Sequence, residues 1–116
     1  MKVHSRIGPG CSEPIYRDVM YHSLTKDGFT VEREKRVTFE FEGVQFRNKL
    51  RADLIIEGRL VVELKSQKRL TQVDERQLLT YMRLLQAPMG LLLNFGALHL
   101  RDGVKRILNN YSPSFP

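Results

Sequence analysis

The sequence predicts an α/β domain with a mixed central sheet flanked by helices, and three observations support this class. Apolar residues repeat at helical spacing over residues 15–24 and again over 78–85, which indicates two amphipathic helices. Between them lie segments that alternate apolar and polar residues, as half-buried strands do. A continuous apolar run at 90–95 follows the second helix, which is therefore predicted to be a crossover between two strands of one sheet.

The first helix and the strands that follow it have clear boundary signals. Ser12 is a favoured N-cap residue, and Gly28 is expected to end the helix because glycine readily adopts the left-handed conformation found there. Residues 29–33 and 37–42 alternate in polarity and are predicted to form two strands. A β-hairpin is then predicted over residues 50–65.

The second helix has a signal at each end. Thr71 and Asp74 have the spacing of a capping box, and Pro88 is expected to stop the helix. Beyond the apolar strand we expect a short strand at 98–100, a short helix that Asp102 caps, and a loose C-terminal tail. These elements predict one domain over residues 1–116, with a core at about 7–109.

Composition limits the partners and the compartment of the protein. Lys and Arg outnumber Asp and Glu by 19 to 13, and the net charge of +6 suits a polyanionic partner such as nucleic acid. The single cysteine, Cys11, excludes an internal disulfide and fits a reducing compartment, so we expect a cytoplasmic protein. The sequence has no signal-peptide pattern and no apolar run that would span a bilayer, so no membrane association is expected.

The register of the predicted hairpin follows from its two apolar rows. They are buried together only if Ile56 pairs with Leu60 and Leu54 pairs with Val62. This register leaves residues 57–59 as a three-residue loop, whose central glycine is free to adopt a positive φ. The apolar row of the first strand comprises Leu50, Ala52, Leu54 and Ile56.

The same register predicts a cluster of charges on the opposite face. It places Asp53 directly across from Glu63, and Arg51 across from Lys65. Carboxylates at this separation raise one another's pKa or recruit a cation, and Mg²⁺ held by two carboxylates and a substrate phosphate is the usual arrangement. The alternative is a solvated outer face with a cross-strand charge cluster.

Three further polar residues have ordinary structural explanations when each is taken alone. Glu13 lies in the first turn of a helix, where the helix dipole favours a carboxylate. Gln77 and Tyr81 lie four residues apart and share a helix face, as a boundary residue and a core aromatic residue would.

Five short motifs, taken together and in order, are more specific than any one of them. They are Gly10-x-x-Glu13-x-x-Tyr16, Arg51-Ala-Asp53-Leu, Glu63-Leu-Lys65, Gln77-Leu-Leu-x-Tyr81 and Leu93-Asn-Phe-Gly96. In these motifs the chain resembles the GxxExxY family, which is placed in the PD-(D/E)xK nuclease superfamily. The resemblance extends from about residue 7 to residue 109, and it implies a restriction-endonuclease-like αβββαβ core.

The resemblance also implies roles for the residues of these motifs. Asp53 and Glu63 would bind Mg²⁺ or Mn²⁺, and Glu13 would be an additional acidic metal ligand from the first helix. Lys65 would orient or help deprotonate the attacking water and offset charge in the transition state. Gln77 would support the site from the second helix. The family often has a histidine three residues before this glutamine, and here that position is Asp74.

We therefore expect a metal-dependent phosphodiesterase that acts on nucleic acid, with DNA as the leading substrate and an RNA-directed nuclease as an alternative. The alternative is a non-catalytic binding or assembly module on the same fold, because a fold does not determine a function. In either case a homodimer or a partner protein would add recognition surface to this small domain. Basic residues expected to hold the nucleic-acid backbone are Arg47, Lys49, Arg51, Lys68, Arg69 and Arg76.

Overall fold

A computed structural model describes residues 11–97 and 100–109, except for the side chains of residues 48–50 and 101. The described part of the chain contains two helices, five strands and a short 3₁₀ helix. In chain order they are α1 (Glu13–Lys26), β1 (Val31–Phe41), β2 (Val44–Ile56), β3 (Leu60–Lys65), α2 (Gln72–Leu85), β4 (Met89–Asn94), the 3₁₀ helix (Leu100–Gly103) and β5 (Val104–Leu108).

The strands form one mixed sheet in the order β1-β2-β3-β4-β5. Strands β3 and β4 are parallel and are joined through α2, whereas the other three neighbouring pairs are antiparallel. The predicted α/β class with its crossover helix is therefore confirmed. Neither helix in the described ranges is both long enough and apolar enough to cross a membrane.

The sheet has a hydrophobic cluster on each face, and each cluster is covered by one helix. The cluster beneath α1 consists of Tyr16, Met20, Leu54, Val62, Leu64, Leu93, Phe95 and Leu100. The cluster beneath α2 consists of Ala52, Ile55, Val61, Leu78, Tyr81, Met82, Ala87 and Leu92. Strand β4 contributes to both clusters, which explains why its sequence is apolar at nearly every position.

The helix boundaries agree closely with the sequence signals. Asp74 and Thr71 form the predicted capping box at the start of α2. Ser12 is the N-cap residue of α1, but its side chain makes no capping hydrogen bond. Its backbone carbonyl instead accepts from the N–H groups of Ile15 and Tyr16 at 3.2 and 3.3 Å.

Strands β1 and β2 differ from the prediction in extent. The two strands expected at 29–33 and 37–42 are a single strand, β1, which continues through the charged residues between them. Its partner β2 begins at Val44 rather than at residue 50, because the two strands pair almost to the turn at Gly43. Polar residues in the middle of β1 concealed this continuity, since cross-strand hydrogen bonding does not require apolar side chains.

The prediction of a short helix after Asp102 is wrong. Residues 100–103 form the 3₁₀ helix, and the chain then enters strand β5, which pairs with β4. β-Branched Val104 and Ile107 favour this extended conformation, and the edge of β4 supplies hydrogen-bond partners for the backbone. The predicted strand at 98–100 lies mostly outside the described residues, and the predicted loose tail lies wholly outside them.

Candidate active site

The β2–β3 hairpin has the register that its apolar rows predict. Ile56 is paired with Leu60, and Leu54 is paired with Val62. Residues 57–59 form the connecting loop, in which Gly58 has a φ of 66°. Both predicted pairs and the predicted glycine conformation are therefore present.

Beyond Leu54 the two strands separate, and carboxylates replace the missing backbone hydrogen bonds. The N–H of Asp53 donates to Glu63 Oε1 at 2.9 Å, and the N–H of Leu64 donates to Asp53 Oδ2 at 2.8 Å. Strand β3 meanwhile stays paired with β4 as far as Lys65. The two carboxylates thus lie at a fork in the sheet, where each satisfies a backbone N–H that would otherwise have no partner.

The fork also breaks the alternation of side chains along β2. Ala52 packs in the cluster beneath α2, whereas Leu54 packs beneath α1, so the predicted common apolar face is wrong. The break coincides with Asp53 and with Glu34, the residue opposite it on β1, whose φ is 52°. Such irregularities re-aim side chains and are common beside active sites.

Burial disfavours the state in which both carboxylates of the pair are ionised. Burial and the nearby charge of Asp53 raise the pKa of Glu63 from its usual 4.5 to about 8. Burial also raises the pKa of Asp53, and the charge of Glu13 adds to that effect. The Leu64 N–H and the positive charges of Arg17 and Lys65 oppose it. Near neutral pH the pair therefore retains a proton unless a cation replaces it.

Lys65 extends from the end of β3 toward α2. Its Nζ donates to Gln77 Oε1 at 3.1 Å and lies 3.9 Å from Asp74 Oδ1. Gln77 Nε2 in turn lies 3.5 Å from the Tyr81 hydroxyl. Burial, followed by the charges of Glu63 and Asp53, raises the pKa of Tyr81, so this hydroxyl lies within the field of the carboxylate pair.

Arg51 is not across from Lys65, contrary to the predicted register. The strands have already separated at that level, and Arg51 instead contacts Glu34, with 3.5 Å between Nη1 and Oε1. Lys65 contacts residues of α2. Because the strands separate at the fork, Arg51 and Lys65 contact different partners.

Glu13 reaches the site from the start of α1. Its Oε1 accepts a hydrogen bond at 3.0 Å from the N–H of Ser66, the residue after Lys65. Its negative charge raises the pKa of Asp53. The next turn of α1 places Tyr16 in the core, where its ring stacks on Phe95 with centroids 4.1 Å apart. This aromatic stack anchors the helix that supplies Glu13.

The loop after Lys65 is held by Asn94, a buried residue whose role sequence reasoning did not identify. Asn94 Oδ1 accepts from the N–H of Gln67 at 3.0 Å, and its Nδ2 donates to the Gln67 carbonyl at 2.9 Å. Gly96 lies so close that a Cβ there would be 2.4 Å from the Gln67 carbonyl oxygen. The motif containing these residues was recognised, but only the fold reveals which loop it supports.

Asp74 is the second residue whose contribution the sequence did not reveal. Its Oδ2 accepts from the Thr71 N–H at 2.8 Å and from Gln67 Nε2 at 2.6 Å. Partial burial tends to raise the pKa of Asp74, but these donors outweigh it and hold the pKa below its usual value. Asp74 is therefore a fixed negative charge beside Lys65.

The donor set suits a hard divalent cation. Asp53 and Glu63 offer carboxylate oxygens on adjacent strands, and burial raises the pKa of both, so a bound cation would stabilise their charged forms. No three His, Cys, Asp or Glu side chains among residues 11–97 and 100–109 are close enough together to hold a metal ion. Two carboxylates nevertheless fit Mg²⁺, which commonly keeps several waters and uses one or two protein carboxylates with substrate phosphates.

Most of the predicted backbone-binding residues are on the surface. The exposed members of the set are Arg47, Arg51, Lys68, Arg69 and Arg76. The side chain of Lys49 lies outside the described part of the chain.

Comparisons with known proteins agree with this geometry. The solved crystal structure of SSO0001 is similar over 87% of this chain and 55% of that chain, with a TM-score of 0.59 and 25% sequence identity. This chain thus spans little more than half the length of SSO0001. No curated protein matches it. The family model of the PD-(D/E)XK nuclease superfamily matches residues 1–107, and the chain belongs to that superfamily.

Proposed function

We propose that the protein is a Mg²⁺- or Mn²⁺-dependent nuclease that hydrolyses phosphodiester bonds, with DNA preferred over RNA. The observation that supports it best is the pairing of half-buried Asp53 with buried Glu63 at the fork, with Lys65 two residues after Glu63 on β3. Membership of the superfamily supports nuclease activity. The metal and the preferred substrate are parts of the proposal.

Asp53 and Glu63 are the proposed metal ligands, with Glu13 close by. When bound, the cation would polarise the scissile phosphate and lower the pKa of the attacking water. Each carboxylate keeps one oxygen on a backbone N–H, so the ligands are held in place before substrate arrives. Glu13, which accepts the Ser66 N–H, would contribute negative charge to the site and is proposed as an additional ligand.

Lys65 is the proposed source of transition-state stabilisation. Phosphoryl transfer places extra negative charge on the phosphate oxygens, and a prepositioned ammonium group stabilises that charge. Gln77 and Asp74 would hold Nζ in position, since both present oxygen atoms to it. An ammonium group of this kind would also orient the attacking water.

The proposed membership of the GxxExxY family rests on the five sequence motifs, and the contacts of two motif residues support it. Its glutamate, Glu13, lies beside the proposed metal ligands, and its tyrosine, Tyr16, anchors α1 in the core. The choice of nucleic acid as the proposed substrate rests on the net charge of +6 and on the exposed side chains of Arg47, Arg51, Lys68, Arg69 and Arg76. Such side chains would contact backbone phosphates, which carry no sequence information, so little sequence specificity is expected.

A non-catalytic binding or assembly module is the second candidate function. Two observations favour it: the chain spans only 55% of SSO0001, and three metal-binding side chains are not already clustered in the described residues. In that case a second copy of the chain or a partner protein would complete the recognition surface.

Cleavage assays with the purified chain separate the two functions. DNA and RNA are incubated with Mg²⁺ or Mn²⁺, and the parent is compared with Lys65→Ala and with Lys105→Ala. Lys105 is a matched control because it is an exposed lysine that, like Lys65, pairs with an acidic residue of α2, in its case Glu75. The nuclease proposal expects Lys65→Ala alone to abolish cleavage while nucleic-acid affinity stays nearly unchanged. A parent protein that binds nucleic acid but cuts neither substrate with either metal would favour the binding module.

A further inference from the structure

Glu34 has an unusual backbone conformation beside the proposed site. Its φ of 52° is in the left-handed region, although it lies in the middle of strand β1 and is not a glycine. The pairs on either side, Arg33 with Leu54 and Lys35 with Ala52, place it opposite Asp53. Strain of this kind persists where the surroundings hold it, and it is concentrated at functional sites.

Two arginine side chains converge on one oxygen of Glu34. Arg17 Nη1 lies 3.1 Å and Arg51 Nη1 lies 3.5 Å from Glu34 Oε1. The Arg17 side chain is 16% exposed, and its Nε is also held by Asp18 at 3.2 Å. Two guanidinium groups around one anionic oxygen form the arrangement that proteins use to bind phosphate.

This arginine pair is next to the proposed metal ligands. Arg17 follows Glu13 by one turn on α1, so the two side chains share a helix face. Arg51 precedes Asp53 by two residues on β2.

We propose that Arg17 and Arg51 form a subsite for a backbone phosphate adjacent to the scissile phosphate, and that the Glu34 carboxylate occupies this subsite until nucleic acid displaces it. The inference rests on the proposed function, because it assigns part of the substrate to a place beside that site. Displacing the Glu34 carboxylate requires little free energy, since its side chain is 43% exposed and exposed ion pairs are weak. Arg17 keeps its position when Glu34 leaves because Asp18 still holds it.

The competing explanation is that these ion pairs only tie α1 to the β1–β2 hairpin. In that case Glu34 would stabilise the fold and would not compete with nucleic acid. The two explanations differ in the sign of the effect that removing the Glu34 charge has on affinity.

The test measures dissociation constants for a short fluorescent DNA duplex by anisotropy, in EDTA and in Ca²⁺, over a series of salt concentrations. Glu34→Gln is compared with Glu32→Gln, which removes the same charge from the same strand but from a carboxylate paired with Lys35. Arg17→Gln and Arg51→Gln are compared with Arg33→Gln, since Arg33 contacts Asp18 and not Glu34.

The proposal expects Glu34→Gln to bind DNA roughly threefold or more tightly than Glu32→Gln, as loss of a weak competing ion pair allows. Arg17→Gln and Arg51→Gln should bind more weakly than Arg33→Gln, with the salt slope reduced by about one relative to that control. Combining Glu34→Gln with Arg51→Gln should remove the gain in affinity. Arg51 is 59% exposed, so its variant tests the subsite even if Arg17→Gln does not fold.

The proposal is overturned if Glu34→Gln matches Glu32→Gln, if the arginine variants match Arg33→Gln, or if the parent does not bind DNA in either condition. These outcomes are distinct from failure of the nuclease function. Cleavage that depends on Lys65 with no specific effect of Glu34 would reject only the subsite. A specific Glu34 effect on binding without cleavage would reject only the nuclease.

Discussion

Glu63 accepts the backbone N–H of Asp53 at 2.9 Å, while Asp53 accepts the N–H of Leu64, the neighbour of Glu63, at 2.8 Å. The two carboxylates therefore close the fork between β2 and β3 as well as facing one another. Replacing either residue by alanine would leave a backbone N–H without its acceptor, which costs about 1–3 kcal/mol when the group is buried. Asn and Gln variants keep an acceptor oxygen and are the appropriate substitutions.

The first prediction concerns pH and the metal-free protein. The pKa of Glu63 is raised from 4.5 to about 8, so between these values the folded state binds more protons than the unfolded state. The free energy of unfolding should therefore fall as pH rises through this window, by up to about 1.4 kcal/mol per pH unit for one such group. Glu63→Gln should flatten this dependence in melting experiments with EDTA. Equal slopes for the two proteins would contradict the raised pKa.

The second prediction concerns divalent metal. Millimolar Mg²⁺ or Mn²⁺ should raise the melting temperature, because binding only the folded state stabilises it by about 2.7 kcal/mol at 100 times the dissociation constant. Asp53→Asn should lose most of this gain. Asp102→Asn is the control, since Asp102 is an exposed carboxylate of the 3₁₀ helix. No metal-induced shift in the parent would argue against a preformed site.

The third prediction separates two roles of Asp74, as a hydrogen-bond acceptor at the start of α2 and as a negative charge beside Lys65. In Asp74→Asn the amide oxygen can still accept from Thr71, whereas the negative charge beside Lys65 is lost. We expect turnover to fall about three- to tenfold, equivalent to roughly 1 kcal/mol, with a small change in melting temperature.

Thr71→Ala is the matched control for Asp74. It removes the hydroxyl that accepts the Asp74 N–H and should lower stability by about 1 kcal/mol with little change in turnover at 25 °C. If both variants lost turnover only in proportion to stability, Asp74 would be a helix cap and nothing more.

The fourth prediction tests the loop that follows Lys65. Gly96→Ala would place a Cβ 2.4 Å from the Gln67 carbonyl oxygen and 2.7 Å from its nitrogen, and a backbone cannot yield as a side chain can. Stability should fall by about 1–3 kcal/mol, and turnover should fall because the loop positions Lys65. Gly43→Ala is the control: it has open space around it, a φ of 79°, and lies at the hairpin tip away from the site. Normal turnover in folded Gly96→Ala would show that the loop tolerates displacement.

The sequence alone was sufficient to predict the hairpin that carries the site. Alternation along a strand has a period of two, so burying both apolar rows allowed only the register that pairs Leu54 with Val62. The capping box at Thr71 could also be predicted from the sequence, because its hydrogen bonds join residues three positions apart. Both features depend on residues close together in the chain.

The same local reasoning failed where strands separate or merge. It assumed that pairing continued beyond Leu54, and therefore placed Arg51 across from Lys65. It also divided β1 into two strands, since nothing in its sequence reveals that Glu34 would adopt a positive φ without interrupting the strand. Residues 104–108 form a strand rather than the predicted helix because the edge of β4 is available to pair with them.

The sequence by itself determined the α/β class, the hairpin register and the capping box of α2, because each follows from backbone geometry over a few residues. Only the tertiary structure decided which side chains meet at the fork. The Glu13–Ser66 contact spans 53 positions, and the Asn94–Gln67 contact spans 27. No local periodicity predicts contacts between residues so far apart in the chain, since these contacts form when α1 packs on the sheet and β4 pairs with β3. Converging arginines around Glu34 likewise exist only once α1 lies against β1 and β2.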